Sequence, residues 1–228
     1  MVKRVLALLI ALALLPSLGI TAGAEDNYVL KPVVLFESDF ENGGETKAGR
    51  MSMTNTSVGE YEKGNTLKAN SAGGVAQFYV YAEKEPENCE ATLVSFDMWF
   101  EKNTTRGYMD IFQPAEDGKA PSMDLNKLSR SMYIVQDGRL SYFESFMPPC
   151  GTRVVNSLMY TPGRWYHYDM WIDYTNKCVY YFIDGMEQVC LPITDEFKGF
   201  GGFRYTVESM NGGALYQFDK MIVVSFPK

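Results

Sequence analysis

The sequence predicts an all-β protein built as an antiparallel β-sandwich. Short runs in which apolar and polar residues alternate recur along most of the 228-residue chain, and a two-residue period is typical of half-buried strands. Clusters of Gly, Asn and Asp separate the runs, as turns require. No segment shows a sustained helical period with caps. Many short strands joined by regular turns favour a sandwich or a barrel.

The composition is that of a folded globular protein with an acidic surface. Hydrophobic residues make up 46% and charged residues 21% of the chain, which excludes the disordered and collagen-like classes. The formal net charge is −7, whereas a general nucleic-acid binder needs a basic surface. We therefore expect no nucleic-acid partner.

The first 24 residues have the pattern of a secretory signal peptide. Lys3 and Arg4 precede an apolar run over residues 5–15, and the sequence A-G-A at residues 22–24 forms a small-residue cleavage site. The apolar run is shorter than the roughly 20 residues of a membrane span, and an uncleaved anchor is the alternative interpretation. The pattern predicts a secreted, extracellular protein in which residues 25–228 form one domain without a membrane anchor.

Twelve segments of the predicted mature chain are expected to be strands. In chain order they are residues 33–40, 66–69, 75–82, 92–100, 108–112, 132–136, 139–143, 164–174, 178–183, 188–191, 202–207 and 216–226. Residues 42–64 are rich in Gly, Ser, Thr and Asn and are expected to be loop with short strand pieces. Residues 123–128 are a candidate short helix or turn, and Asp137-Gly138 marks a hairpin.

The clearest predicted unit is a hairpin that begins at residue 163 and turns at Thr175-Asn176. In this register the apolar pairs that share the core face are Ile172 with Val179, Met170 with Tyr181 and Tyr168 with Ile183. The opposite face carries Trp165, His167, Asp169, Trp171, Asp173, Cys178, Tyr180 and Phe182. Residues 92–100 sort in the same way, because Asp97 and Trp99 alternate with apolar residues.

Four cysteines, Cys89, Cys150, Cys178 and Cys190, follow the signal peptide. An exported context favours disulfides. A second turn at Asp184-Gly185 brings Cys190 near Cys178, which leaves Cys89 and Cys150 as the second predicted pair. Unpaired buried thiols are the alternative. Zinc is disfavoured, because the chain has no C-x-x-C motif and a single histidine.

Several of these segments resemble a known superfamily. The sequence GRWYHYDMWIDYTNKCVYYFIDG, which begins at residue 163, is similar to the Trp strand, turn and Y-x-D-G hairpin of laminin-G-like domains in the concanavalin A-like lectin/glucanase superfamily. VVLFESDFENG and ALYQFDKMIVVSF resemble the first and last strands of these jelly rolls, and TLVSFDMWFE resembles another strand. The resemblance covers most of residues 33–226 and implies a concanavalin A-like jelly roll. It implies no single function, because the superfamily includes lectins, hydrolases, lyases and spacers.

Non-catalytic binding of carbohydrate is the function that we expect first, with an extracellular glycan or polysaccharide as the partner. Aromatic side chains on a sheet face can stack on sugar rings while neighbouring polar groups bind hydroxyls. The predicted ligand-binding residues share the second face of the strands and are Trp171, Tyr180, Phe182, His167, Asp169, Trp99 and Asp97. The alternative for this face is that loops cover it or that it packs as a second core.

The resemblance also implies a structural calcium ion. Related carbohydrate-binding jelly rolls often hold one where the first and last strands meet, and hard cations prefer several carboxylate oxygens. The matching positions are Asp39 and Glu41 near the first strand and Asp219 in the last strand. Strand-edge carboxylates without a metal ion are the alternative.

An enzyme that acts on polysaccharide is the alternative function. Glucanases of this superfamily carry Glu-x-Asp-x-Glu on one strand to supply paired carboxyl groups, and neither residues 97–101 nor residues 108–112 match this pattern. Lyases of this fold use a Tyr or His base, for which His167 is the only histidine, but no Arg-rich motif accompanies it. We therefore assign no catalytic residue. A protein-interaction module without a sugar site is the third interpretation.

Overall fold

The protein is described by a computed structural model over residues 31–62, 64–101, 105–114, 128–134, 140–143, 161–193, 197–209, 213 and 215–228. The predicted signal peptide, Cys150, residues 123–127 and the turn at Asp137-Gly138 lie outside this range. Apart from one short 3₁₀ turn at Ser71–Gly73, the elements in it are strands. The described part of the chain contains no apolar helix of membrane-spanning length.

The strands in chain order are β1 (Val33–Ser38), β2 (Arg50–Thr54), β3 (Thr56–Tyr61), β4 (Gly64–Asn70), β5 (Ala76–Tyr81), β6 (Cys89–Phe100), β7 (Thr105–Phe112), β8 (Leu128–Ile134), β9 (Leu140–Phe143), β10 (Trp165–Asp173), β11 (Cys178–Ile183), β12 (Met186–Pro192), β13 (Gly202–Ser209) and β14 (Leu215–Pro227). They form two antiparallel sheets. The eight-stranded sheet has the order β12-β11-β10-β6-β14-β4-β3, with β1 also paired to β14, and the six-stranded sheet has the order β2-β5-β13-β7-β8-β9. The predicted antiparallel β-sandwich is confirmed.

The predicted hairpin register between β10 and β11 is confirmed at every pair. Ile172 lies opposite Val179, and Trp171 lies opposite Tyr180. The turn is closed by the Asp173 carboxylate, which accepts a hydrogen bond from the Asn176 backbone N–H at 2.8 Å. This local bond holds the turn that sets the register.

Two short strands, β2 and β3, occupy part of the segment that was expected to be mostly loop. Each pairs with a neighbour along one edge only: β2 with β5, and β3 with β4. Edge strands need little apolar content, because one row of their backbone groups faces solvent. Their low hydrophobicity explains why the two-residue period is weak there.

Aromatic rings fill the space between the two sheets. Phe78 and Tyr205 from the six-stranded sheet both contact Phe218 of β14, with ring centroids 4.8 Å and 4.7 Å apart. Phe96 of β6 stacks on Tyr168 of β10 at 5.4 Å. All five are buried. The high aromatic content of the sequence is therefore used first to build a core, as is common in β-proteins.

The predicted disulfide between Cys178 and Cys190 is confirmed, with the two Cα atoms 6.2 Å apart. A bulge in the pairing of β11 with β12 accompanies it. Cys89 is a free thiol among the described residues, and its predicted partner Cys150 lies outside them, so the pairing of Cys89 with Cys150 stays a prediction. The Cys89 Sγ atom lies 3.1 Å from the Pro86 carbonyl oxygen and 2.9 Å from Ser225 Oγ. These polar contacts hold the thiol at the end of β6, beside β14.

Removal of the disulfide is expected to destabilise the fold. A crosslink that spans 12 residues restricts the unfolded chain, so the double variant Cys178→Ala/Cys190→Ala should lose about 2–3 kcal/mol of unfolding free energy. Urea denaturation measures this loss. Cys89→Ser retains a polar group beside Ser225 and is the matched control, with an expected change below about 1 kcal/mol. Equal losses in both variants would contradict a specific role for the disulfide.

Candidate functional site

The outer face of the eight-stranded sheet divides into an apolar half and a polar half. The apolar half is a second hydrophobic cluster of Ala91, Leu93, Trp171, Phe182, Val224 and Phe226. Trp171 and Phe182 are only 9% and 7% exposed, and the Trp171 ring lies 5.2 Å from that of Phe226. The expectation that these rings form an exposed sugar-binding strip is wrong, because this half of the face packs as a second core. Tyr180 is half-buried at its edge.

The polar half is centred on His167 of β10. Its Nδ1 atom lies 2.6 Å from Asp97 Oδ1, and its Nε2 atom lies 3.3 Å from both Asp169 Oδ1 and Ser95 Oγ. The alternation of β6 and β10 places these side chains on one face, since His167 pairs with Asp97 and Asp169 pairs with Ser95. The structure therefore brings together three of the predicted site residues, His167, Asp97 and Asp169.

The two carboxylates keep the imidazole charged. Hydrogen bonds with Asp169 and Asp97 outweigh the effect of burial and raise the pKa of His167 to about 10. Burial alone would raise the pKa of Asp97, but His167 and Lys220 outweigh it and hold that pKa below its usual value. A protonated imidazole cannot accept a proton near neutral pH. His167 is therefore unsuited to the role of a lyase base.

Beside this cluster the outer face opens into a groove with a volume of about 340 Å³, which we call the Trp165 groove. It is lined by Glu41, Tyr61, Glu62, Gly64, Asn65, Thr66, Asp97, Trp165, Asp219 and Lys220. These residues come from the loop after β1, from the β3–β4 hairpin, and from β6, β10 and β14. The volume is within the range of small-molecule sites in proteins.

Two aromatic rings, Tyr61 and Trp165, line the groove, and a third ring, Trp99, contacts Tyr61 beside it. The Tyr61 ring lies 5.7 Å from the Trp99 ring and 6.1 Å from the Trp165 ring, at interplanar angles of 47° and 62°. Trp99 and Trp165 are direct cross-strand partners on β6 and β10. All three side chains are half-buried. They hold one another in place through ring contacts and still present apolar surface to solvent.

Carboxylates and one lysine give the groove its charge. A bulge in β14 places Lys220 in a left-handed conformation with φ of 49°, and its Nζ atom lies 3.3 Å from Asp97 Oδ2. Asp219 lies opposite Asp97 in the sheet. Burial, together with the negative charges of Asp97 and Glu41, raises the pKa of Asp219 above its usual value, although Lys220 opposes this shift. Asp219 is thus a carboxylate with incomplete charge compensation.

A buried amide lies beside the groove. Gln217 is on the same face of β14 as Asp219 and is fully buried, and its Oε1 atom accepts a hydrogen bond from Thr66 Oγ1 at 2.9 Å. Its Nε2 atom is also buried and makes no hydrogen bond of good geometry to a described residue, although the Gln217 side chain interacts with Tyr61 and opposes the rise in pKa that burial causes there. Unsatisfied buried donors are uncommon in folded proteins. Because Thr66 lines the groove, this donor is adjacent to the place where a ligand would bind.

The three predicted calcium ligands do not share a cation site. Asp39 Oδ2 lies 3.6 Å from Lys47 Nζ, whereas Glu41 accepts hydrogen bonds from the Asn65 backbone N–H. Within the described ranges, no three His, Cys, Asp or Glu residues are grouped to hold a metal ion. Glu41 and Asp219 instead line the Trp165 groove. Calcium binding by this protein stays a prediction.

Sequence reasoning missed several residues of the groove, among them Tyr61, Asn65 and Lys220. Trp165 was assigned to the correct face but was not selected as a ligand-binding residue. Tyr61 belongs to an edge strand with a weak period, and the position of Lys220 depends on a bulge that no local pattern marks.

The outer face of the six-stranded sheet carries a second aromatic surface that the sequence analysis also missed. Tyr79 and Tyr81 stack with ring centroids 6.0 Å apart, and the Arg50 guanidinium lies 4.6 Å from the Tyr81 ring centroid. The alternation in A-Q-F-Y-V-Y was the available signal, because it places both tyrosines on the face opposite Phe78. We call this pair the Tyr79–Tyr81 surface.

Several solved structures are similar in fold to this chain. A structure described as "Sialidase" matches with a TM-score of 0.58 and 11% identity, over 83% of this chain and 18% of that chain. The binding domain of botulinum neurotoxin DC in complex with SialylT matches with a TM-score of 0.57 and 11% identity, over 83% and 46% of the two chains. The metal-free Emp46p carbohydrate recognition domain matches with a TM-score of 0.54 and 9% identity, over 76% and 87%.

No protein-family model and no curated protein sequence matches the chain. The chain spans less than a fifth of the sialidase and less than half of the neurotoxin domain. At these identities the structural matches show the fold. The protein has a concanavalin A-like jelly-roll fold, and this prediction from the sequence is confirmed.

We expect His167 to stay protonated well above neutral pH. Its folded pKa of about 10 exceeds the value of about 6.5 for an unfolded histidine. The interaction therefore stabilises the fold fully below about pH 6.5, and this stabilisation is lost as the pH rises through about 10. Imidazole NMR signals measure the titration without ambiguity, because the chain has one histidine.

Asp97→Asn should lower the NMR titration midpoint of His167, because it removes the closest carboxylate. Asp173→Asn is the matched control. It removes a carboxylate from β10, the strand of His167, but that carboxylate hydrogen-bonds Asn176 instead of the imidazole. The titration midpoint of His167 should therefore not change. A midpoint near the ordinary histidine value in the unmodified protein would show that the two carboxylates do not hold the proton.

Proposed function

We propose that this protein binds carbohydrate without catalysis and that the Trp165 groove is the binding site. The observation that carries the proposal is the meeting of Tyr61, Trp99 and Trp165 beside hydrogen-bonding carboxylates and an amide. Sugar rings have apolar C–H faces and polar edges. A site that combines aromatic rings with Asp219 and Asn65 offers a partner to each of them.

The structural neighbours support the class of ligand. One is described as a carbohydrate recognition domain, and another as a binding domain in complex with SialylT. Several different activities occur on one fold, so the fold alone does not select a function. The groove chemistry is what favours carbohydrate for this chain, with a glycan or polysaccharide as the partner.

We also propose that the protein acts outside the cell. The signal-peptide pattern over residues 1–24 supports export. The disulfide between Cys178 and Cys190 supports it independently, because disulfides persist in oxidising compartments. An extracellular site is where glycans and polysaccharides are accessible.

Glycoside hydrolysis is a second candidate function, favoured by one observation. Asp97 and Asp219 lie directly opposite each other on β6 and β14 in the groove, and their pKa values are displaced in opposite directions. Paired carboxyl groups of unequal acidity are what acid–base cleavage of a glycosidic bond requires. However, one Asp97 oxygen is held by His167 and the other by Lys220, which favours binding without cleavage.

The test is a glycan and polysaccharide screen, with and without calcium, in which released sugar is assayed in the same samples. The best ligand should bind about tenfold more weakly to Trp165→Ala, since a central aromatic contact is removed. Tyr79→Ala removes a half-buried aromatic side chain on the opposite sheet and is the matched control, with unchanged affinity expected. Circular dichroism verifies that both variants are folded.

Other outcomes would contradict specific parts of the proposal. Loss of binding in Tyr79→Ala but not in Trp165→Ala would move the site to the Tyr79–Tyr81 surface. Release of sugar that disappears in Asp219→Asn would make hydrolysis the function. No binding by the folded protein across a broad panel would favour a protein-interaction module.

A further inference from the structure

The charges at the Trp165 groove are unbalanced. Glu41, Glu62, Asp97 and Asp219 line it, and Lys220 is the one cation among the described lining residues. His167 lies beside Asp97, but its charge is shared with the buried Asp169. Even when His167 and Asp169 are counted, carboxylates outnumber cations among the described residues around the groove. An anionic ligand would therefore meet net repulsion in the groove.

The aromatic rings indicate that a ligand cation would be organic. A bare metal ion needs several converging oxygens, and the described residues do not group in that way. An ammonium group on a carbon skeleton is attracted both to ring faces and to carboxylates. Tyr61 and Trp165 line the groove together with Asp97 and Asp219, so the two kinds of contact are available to one ligand.

Lys220 illustrates how an ammonium group binds in this place. Its Nζ atom lies 3.3 Å from Asp97 Oδ2, and its side chain is 72% exposed. A contact this exposed is weak and easily exchanged. Asp219 is partly buried and has like-charged neighbours, and both effects disfavour its ionised form. A second ammonium group would relieve that cost, which Lys220 only partly offsets.

A donor beside the groove indicates that the rest of the ligand carries oxygen. The buried Nε2 atom of Gln217 makes no hydrogen bond of good geometry to a described residue, and the side chain interacts with Tyr61 of the groove. Its amide oxygen accepts a hydrogen bond from Thr66 in the groove lining. A ligand hydroxyl that reaches Thr66 would supply an acceptor after a small shift of the amide. Hydroxyl groups next to an ammonium group on one ring are the chemistry of an amino sugar.

We infer that the Trp165 groove selects basic carbohydrates, in which unacetylated amino groups carry positive charge, over neutral and anionic ones. This inference rests on the carbohydrate-binding function proposed above. The carboxylates at Glu41 and Asp219 bind the ammonium group, the rings of Tyr61 and Trp165 contact the sugar face, and Lys220 competes with the ligand for Asp97. The acidic net charge of the whole chain, −7, further attracts such a ligand.

The experiment compares a glucosamine tetrasaccharide with its N-acetylated counterpart, which differs in charge and acetylation but not in length. Calorimetry at about pH 6 and low salt keeps the amine protonated. We expect the charged sugar to bind about tenfold more tightly, and the difference should shrink as salt is added. Asp219→Asn and, separately, Glu41→Gln should each reduce the preference, and Trp165→Ala should weaken the binding of both sugars.

Lys220 provides a test with the opposite sign. Lys220→Gln removes the competing ammonium group and should tighten the binding of the charged sugar severalfold. Lys84→Gln removes an equally charged, exposed side chain from the loop before β6, at the other end of that strand from the groove, and is the matched control. Weaker binding of the charged sugar to Lys220→Gln would show that Lys220 does not compete with the ligand for Asp97.

The remaining outcomes separate this inference from the proposed function. If the acetylated sugar binds as tightly as the charged one and Trp165→Ala weakens both, the selectivity is wrong and carbohydrate binding at the groove stands. A tetralysine peptide that binds as tightly as the amino sugar would show that charge alone is recognised and would overturn the sugar class. Absence of binding to every sugar by the folded protein would overturn both proposals.

Discussion

The two-residue period of β6, β10 and β14 connects the core of this protein to its groove. Asp97 lies between Phe96 and Met98, and Asp219 directly follows Phe218, so each polar groove residue has a buried neighbour on the opposite face. A shift of one residue in any of these strands would exchange the faces and expose the core. The burial of apolar side chains that stabilises the sandwich therefore also fixes the strand register that aligns Asp97, His167 and Asp219.

Sequence reasoning predicted the part of this arrangement that depends on period and local turns. The pairing of β10 with β11 followed from the turn at Thr175-Asn176, and the disulfide of Cys178 with Cys190 followed from the second turn at Asp184-Gly185, because a short hairpin leaves few registers open. The face of His167 and Asp97 followed as well. The alternation of apolar and polar residues does not show which region of a sheet face is covered. Trp171 was therefore predicted to be exposed, although it packs in a second core.

The groove was harder to predict because it joins segments that are far apart in the chain. Tyr61 lies on an edge strand, Glu41 lies on a loop, and Lys220 lies in a bulge. None of these positions has a strong local signal, and their contacts depend on the order of strands in the sheet. Glu41 and Asp219 were selected as metal ligands for their chemistry, and the structure places both in a groove that is also lined by aromatic rings.

The place of β14 in the sheet has a consequence for folding. This strand follows all the others in chain order, yet it is paired with β6 along one edge and with β4 and β1 along the other. The eight-stranded sheet is thus divided until β14 inserts, and the contacts that it completes join residues nearly two hundred positions apart. Such non-local closure is slow. Until β14 is available, the preceding strands have unpaired edges, a state that is prone to aggregation.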